Sequence, residues 1–600
     1  MRFPLRSCLL VLVLSLPVGG VHAQSSEQGG PPDAEETGPG IHFNGYGRSL
    51  LQQTGIGGTR LDADTTTAEH LTDGEFLLDL AVNGQPNDVT EVQGVIRFRN
   101  EFGGFFGAGV SVEVRELWAR GIIANVLRYR VGDMDLALTP YTLYVPREDG
   151  VVNEPELFRP QKDVIYHEAF FTGANERRLQ GAHLDFELAF DRGLEVARVQ
   201  GFLARLRTTD YTTTPNRFIG GSRIAAVSSR FGDTRSQARL GATLAYTWDD
   251  LATGQADTGI RNAVTTVDAD LTVLDRGRWT LHVLGEAGRS AVVRKREADA
   301  DGSAETLVDE SDTFLEAGVA ATWRNPGLRV AALFIDVGPD FFSGAAQSKR
   351  VDYTRTKSFF HRIGNDRAIR DVTLFDLGRD RGLYTFRVAD QLMPYDPRYG
   401  NVLPYGPATP NRRGLRLEAR YAPAEGLLAA ALDAALLREI RGQGTTELKD
   451  FRLVRAEADL QLAPLLGWQR PLVLTLGSQI EQTRRGGEAV EEVDLSSTLV
   501  EAGLTAEVYD RLDVLLGAKR RASNGRDYVP QLINFNDVRD FPAPFVTDDR
   551  EALLGAGLRY RFREGIYLTI QYQRFRYHDA ATPAEDYRLG QFFALYSMSF

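Results

Sequence analysis

From Ile41 to the C-terminus, apolar and polar residues alternate one for one in runs of about ten to thirteen residues. In Ser236–Trp248, for example, Ala238, Leu240, Ala242, Leu244, Tyr246 and Trp248 share one face, and Gln237, Arg239, Gly241, Thr243 and Thr247 the other. The same split sets Val92, Ile96 and Phe98 against Gln93, Arg97 and Arg99, and Leu184, Phe186 and Leu188 against His183, Asp185 and Glu187. Further on, Leu472, Leu474 and Ile480 oppose Thr475, Gln479 and Glu481, and Leu554, Leu558 and Tyr560 oppose Arg559 and Arg561. A period of two predicts strands. Strands of soluble sandwiches average about five to six residues and seldom carry Arg and Glu at their middles.

Connections alternate between tight and long. Tight ones include Asp191-Arg-Gly193, Asp275-Arg-Gly277, Arg324-Asn-Pro-Gly327, Asp510-Arg511 and Arg563-Glu-Gly565; long ones fall near 53–73, 133–177, 208–221, 249–262, 291–311, 338–412 and 523–548. The pattern predicts about 22 strands, within a range of 18 to 24. They start near 41, 74, 89, 109, 122, 178, 194, 222, 236, 263, 278, 312, 328, 413, 426, 449, 470, 495, 512, 549, 566 and 587. Two places are awkward: the short join at Phe102–Ala108, and 383–392, which has room for an extra strand or a hairpin.

The last run, Tyr587–Phe600, places Phe592, Ala594, Tyr596, Met598 and Phe600 on one face and ends on an aromatic carboxy-terminus. Tyr596, Met598 and Phe600 resemble the signal by which outer-membrane β-barrel proteins are recognised for assembly. With the short and long connections, the chain is similar to porin-like and polysaccharide-export barrels; Val112–Trp118 followed by Asn125–Asp133 resembles a strand–turn–strand step of such proteins. The resemblance implies an all-β fold, a transmembrane antiparallel up-and-down β-barrel over residues 41–600 with short periplasmic turns and long extracellular loops. It implies as partners outer-membrane lipid and lipopolysaccharide, the barrel-assembly machinery and a small polar solute; the large strand count suits a monomer, and a porin-like trimer stays open.

Residues 1–23 read as a removable secretory signal: Arg2 and Arg6, an apolar run from Leu9, then Val21-His22-Ala23. Residues 24–40, polar and rich in Gly and Pro, read as a disordered leader. About 17 residues between signal and first strand are too few for a plug domain, which argues for an open lumen unless the long loops fill it. The only cysteine, Cys8, lies in the signal, so the mature chain forms no disulfide or thiolate metal site. Removing Arg2 and Arg6 from 69 basic residues leaves 67 against 81 acidic ones, a net charge of −14 that argues against nucleic acid as a partner.

The inward face collects Arg97, Arg99, Arg115, Arg128, Arg130, Arg416, Arg420, Arg455, Arg559 and Arg561, interleaved with carboxylates, as a wet, charged path for a polar solute. The same residues serve equally as ladders that hold a barrel in register, each pair exposed to lumen water and worth about 0–1 kcal/mol. Loop 338–412 carries 12 Lys and Arg against 8 Asp in an otherwise acidic chain, and its Lys349, Arg350, Arg355, Lys357, Arg362 and Arg367 are candidates for an anion-attracting constriction. An outer cap against lipopolysaccharide phosphates is the competing reading of that loop. Asp299, Asp301, Ser303 and Glu310 follow a calcium-loop spacing, but Ala304 stands where glycine is needed, which favours a solvated acidic hairpin. No nucleophile elbow, phosphate-binding glycine loop or zinc pattern occurs, so neither an enzyme nor a cofactor is expected. The expected function is a channel for polar solutes, anionic ones included, or saccharides. The alternative is a non-conducting barrel that serves adhesion or envelope assembly through its loops.

Overall fold

The structure is a computed structural model that describes residues 40–59, 70–102, 110–145, 155–160, 167, 176–210, 214–250, 258–296, 305–347, 388, 392, 395, 397–423, 426–529, 532–533, 537–538 and 543–600. The expected signal and leader, residues 1–39, lie outside these described residues.

The strands are β1 (Gly40–Gly57), β2 (His70–Asn87), β3 (Thr90–Glu101), β4 (Val110–Ile123), β5 (Leu127–Leu136), β6 (Arg177–Ala189), β7 (Leu194–Arg207) and β8 (Asn216–Ser228). Next come β9 (Gln237–Asp250), β10 (Thr258–Asp275), β11 (Trp279–Arg296), β12 (Glu305–Trp323), β13 (Leu328–Val337), β14 (Arg412–Tyr421), β15 (Leu428–Arg438) and β16 (Asp450–Gln461). The last are β17 (Leu472–Arg485), β18 (Val493–Tyr509), β19 (Leu512–Val529), β20 (Leu532–Ile533), β21 (Asp537–Val538), β22 (Ala543–Arg563), β23 (Ile566–Asp579) and β24 (Tyr587–Ser599).

Twenty-two of them form a single antiparallel sheet in sequence order, which skips the small β20–β21 hairpin and closes by pairing β1 with β24. Closure removes the two unpaired edges that an open sheet would expose. Outward positions in the belt are apolar and exposed, as at Val110, Val112 and Val114 on β4 and Leu554 and Leu558 on β22, while inward positions such as Ser111 and Glu113 on β4 and Glu551 and Arg559 on β22 carry polar and charged side chains. Trp279 stacks on Trp323 at 4.4 Å, and Tyr560, Phe562 and Tyr596 cluster edge to face, all outward and near the short turns. This is the aromatic girdle expected where an apolar belt meets a polar boundary.

At the seam, Gly45 and Gly47 of β1 point outward and leave room for the last residues of β24. A Cβ at 45 would lie 2.7 Å from the Phe600 ring and one at 47 would lie 2.5 Å from the Met598 methyl. Phe600 N donates to Gly45 O at 3.1 Å, so the final residue is hydrogen-bonded into the wall. Tyr596, Met598 and Phe600 all lie on the outer face.

Because every strand reverses the one before it, the tightest turns, β2–β3, β4–β5, β10–β11, β18–β19 and β22–β23 among them, gather at one end with the β8–β9 and β16–β17 connections, and the β5–β6 and β13–β14 connections lie at the other. The join after β4 departs from the sequence expectation: β5 begins at Leu127, since Ala124 and Asn125 adopt φ of 51° and 57° and turn the chain there. At the long-loop end several strands begin earlier than expected, β12 at Glu305 and β22 at Ala543 among them, because pairing continues past the apolar belt whose alternation marks the strand in sequence. The segment 383–392, with room for an extra strand or a hairpin, falls almost wholly outside the described residues, and a small hairpin forms at β20–β21.

Candidate functional site: a lumen filled from one end

Exposure of the inward side chains divides the lumen into two halves. On β10, Ile260, Asn262, Val264 and Thr266, toward the long loops, are buried, and Asp268, Asp270 and Thr272, toward the short turns, are accessible. The burial comes from connections that fold back into the barrel.

The β5–β6 connection and the start of the β13–β14 connection pack on each other and on the wall. Tyr141 is fully buried, stacks on Phe314 at 3.8 Å and donates to Glu316 Oε2 at 2.8 Å. Burial, reinforced by the Glu316 carboxylate, drives its phenol well above the usual tyrosine range. Tyr144 N donates to Ala345 O at 3.2 Å, and buried Arg177 donates from Nε to the carbonyls of Tyr144 and Ala345. Residues 401–411 lie along β14–β17, where Val402 and Leu403 pack with Ala435, Leu437, Phe451 and Leu453. Asn401 Nδ2 donates to Thr483 Oγ1 at 2.9 Å and Asp527 Oδ2 at 2.8 Å, and Arg412 lies over the Phe451 ring at 3.7 Å.

Residues 155–160 reach deepest. They meet a row of inward glycines, Gly503, Gly517 and Gly555, which are direct register partners across β18, β19 and β22. A Cβ on these would lie 2.6 Å from Pro155, 2.7 Å from Phe158 and 2.8 Å from Leu157, respectively. Glu156 pairs with Arg559 at 2.7 Å and Lys519 Nζ lies over the Phe158 ring at 5.0 Å. The wall is thus flattened where the loop presses on it.

His167, from the same connection, joins the wall on β1–β4. Its Nε2 is 2.9 Å from Asp79 Oδ2, its Nδ1 is 3.1 Å from Arg48 Nη1, and its carbonyl accepts from Arg115 at 3.1 Å. Arg97 grips Asp79 with two hydrogen bonds of 2.7 and 2.6 Å, and Arg48 donates twice to Glu75. Burial, with the Arg48 and Arg97 charges behind it, holds the imidazole below its ordinary value of about 6.5 against the opposing pull of Asp79.

Most of the expected inward arginines belong to such pairs. Arg97, Arg99, Arg416 and Arg455 are buried, so the expectation of lumen charges bathed in water does not describe them. Arg128 binds Asp185 at 2.5 Å, Arg130 lies over Trp118 at 4.6 Å, Arg416 grips Asp433 at 3.0 Å, Arg455 donates to Gln479 at 3.0 Å and Arg561 meets Glu507 at 2.7 Å. Arg420 is different. It is exposed and lies directly across from Arg329 in the β13–β14 register, and neither guanidinium has an ion pair or hydrogen bond among the described residues. Both line a cavity of about 210 Å³ in the short-turn half, together with Glu418, Asp433, Arg455 and Glu457.

The basic residues 349, 350, 355, 357, 362 and 367 and the calcium candidates Asp299, Asp301 and Ser303 lie outside the described residues; Glu310, expected in a loop, sits in β12 opposite Val292. Among the described residues no group of three or more His, Cys, Asp or Glu is placed to hold a metal. Alternation pointed to neither His167 nor the Arg329 partnership. The glycines of the docking row were visible as small residues at inward positions of neighbouring strands.

No family model and no curated protein matches the chain. Among solved structures, the unliganded ferric citrate transporter FecA matches at 11% identity and TM-score 0.48, over 93% of this chain and 78% of that one. The outer membrane protein OpdK of Pseudomonas aeruginosa matches at 10% identity and TM-score 0.31, over 93% and 99%. A BenF-like porin of Pseudomonas fluorescens Pf-5 matches at 9% identity and TM-score 0.31, over 93% and 99%. The described residues of the chain form a closed 22-stranded antiparallel β-barrel.

Proposed function

We propose that this chain is an integral protein of the bacterial outer membrane and forms a channel for small polar solutes, anionic ones preferred, narrowed by its own inward loops. The apolar outer face, closed sheet and aromatic girdle suit a lipid environment, in which every backbone polar group must be satisfied within the protein. The observation that carries the channel reading is the short-turn half of the lumen, where charged side chains remain accessible and Arg329 and Arg420 stand directly opposed, neither held in an ion pair or hydrogen bond among the described residues. Two like charges directly across a sheet repel, and an entering anion relieves that repulsion. The packed segments 134–145, 155–160 and 401–411 set the constriction above this vestibule.

Planar-bilayer recording of the refolded protein under a salt gradient tests the proposal. Stable steps with an anion-selective reversal potential support it. Silence from a folded, heat-modifiable barrel overturns it in favour of a plugged barrel that acts through its loops in adhesion or envelope assembly.

A further inference from the structure

The outer surface carries a second unpaired basic group, far from the lumen. Arg520 on β19, Arg550 on β22, Arg574 and Arg576 on β23 and Arg588 on β24 are all exposed. Each alternates with buried inward neighbours: Lys519 and Arg521, Asp549 and Glu551, Gln573, Phe575 and Tyr577, Tyr587 and Leu589. The registers Arg520↔Ala552, Ala552↔Arg576 and Arg576↔Arg588 place three of them in one cross-strand row. Arg550 lies one outward step nearer the long loops and Arg574 one step nearer the belt. With strands about 4.8 Å apart and about 7 Å between successive outward residues, the five fit in a patch of about 14 by 14 Å.

None of the five makes an ion pair or hydrogen bond among the described residues. Elsewhere at the same end, outward arginines face carboxylates: Arg413 with Asp336 at 2.9 Å, Arg438 with Asp450 at 3.5 Å and Arg484 with Asp494 at 3.2 Å. On β22 the nearest outward acid is Asp548, beyond Arg550 on the loop side, and on β23 His578 is already held by Asp586 at 2.6 Å. Arg576 and Arg588 are direct cross-strand neighbours, an arrangement that costs stability unless an anion lies between them. Immediately below, toward the short turns, Leu516, Leu554, Leu558, Ile570, Tyr572 and Phe592 form an exposed apolar surface.

We propose that these five arginines bind the phosphate groups of a lipopolysaccharide molecule in the outer leaflet, whose acyl chains lie on the apolar surface beneath. Guanidinium forks match phosphate oxygens bidentately, and the juxtaposition of a phosphate-sized basic patch with an acyl-sized apolar strip suits an amphiphile better than a free ion. The inference rests on the outer-membrane placement proposed above and assigns the long-loop end to the cell surface.

The test uses full-length protein in detergent micelles, with heat-modifiable migration as the check on folding, titrated with fluorescent lipopolysaccharide and with the same lipid after removal of its phosphates. Wild type should prefer the phosphorylated lipid. The R574Q/R576Q/R588Q variant should bind it at least about tenfold more weakly, and R413Q/R438Q/R484Q, which alters paired arginines at the same level, should bind as wild type does. Equal binding by the first variant, equal loss in the second, or indifference to the phosphates overturns the assignment. Conductance in bilayers without lipopolysaccharide reads the channel proposal separately: a silent wild type that still prefers the phosphorylated lipid sinks the channel alone.

Discussion

Leu157 rests against Gly557: a Cβ on that glycine would stand 3.0 Å from the leucine Cδ1, and Gly555 next along the inner face meets the same side chain. A loop residue from between β5 and β6 therefore occupies wall space near the short-turn end of β22. The glycine surface defines where the connection stops, and displacing it is the direct way to ask whether this loop restricts the lumen.

Gly517→Leu or Gly555→Leu places a branched side chain where Phe158 or Leu157 now sits. Overpacking of this kind costs about 1–3 kcal/mol, which the segment 155–160 can relieve by leaving the wall. The barrel should still fold, with single-channel conductance at least about twofold above wild type and faster proteolysis between 146 and 175. Unchanged conductance in a folded variant would mean that the segment does not limit flow.

His167 gives the same connection a pH dependence. Its pKa is depressed in the folded state, so the docked loop favours the neutral ring. The docking energy is fully present above the unfolded value of about 6.5 and is lost as pH falls below it through the folded value. The facing charges are Arg48, Arg97 and Asp79: the two cations act in the same direction as burial, and the Asp79 carboxylate opposes them. Protease accessibility of the β5–β6 connection should rise on acidification below about pH 6.5, and His167→Gln should flatten that profile.

Arg97 and Asp79 form a pair from which lumen water is excluded. Arg97→Ala leaves a carboxylate uncompensated and should destabilise the barrel by about 3–5 kcal/mol, whereas replacing both partners with apolar residues of similar volume should cost far less. Urea unfolding in lipid vesicles, followed by tryptophan fluorescence, measures the difference. Similar losses for the single and double variants would show that packing matters more than charge at this site.

Arg329 and Arg420 separate transport from folding. Both are exposed and unpaired among the described residues, so Arg329→Gln with Arg420→Gln should change stability by no more than about 0.5 kcal/mol. Reversal potentials in a salt gradient should shift toward cation preference. A folded double variant with wild-type selectivity places the filter elsewhere.

The wall of this protein is legible in its sequence because an apolar outer face and a polar inner face impose a period of two on every strand. Alternation recovered all 22 barrel strands, and the facing of Leu554 against Arg559 or Ala242 against Thr243 follows from it. The positive-φ turn at Ala124–Asn125 escaped because neither residue is a glycine. The lumen was far less legible. Contacts such as Leu157 with Gly557 or His167 with Asp79 join residues distant in sequence, and loops have no period to betray what they touch. For the same reason, the sequence does not separate Arg97, buried in a pair, from Arg420, which is exposed and has no ion pair among the described residues.

The β1–β24 seam ties the beginning of this chain to its end, as in the hydrogen bond from Gln591 to Thr54, 537 positions earlier. The sheet therefore cannot close until the final strand has been delivered, and until then β1 and the growing front each present a row of unsatisfied peptide groups. Contacts of such long sequence separation form slowly. The interval before closure is thus the most aggregation-prone stage in the folding of the molecule, and the small side of β1, with glycine at 45 and 47, allows the last two outward residues to end it by sliding into place without repacking the rest.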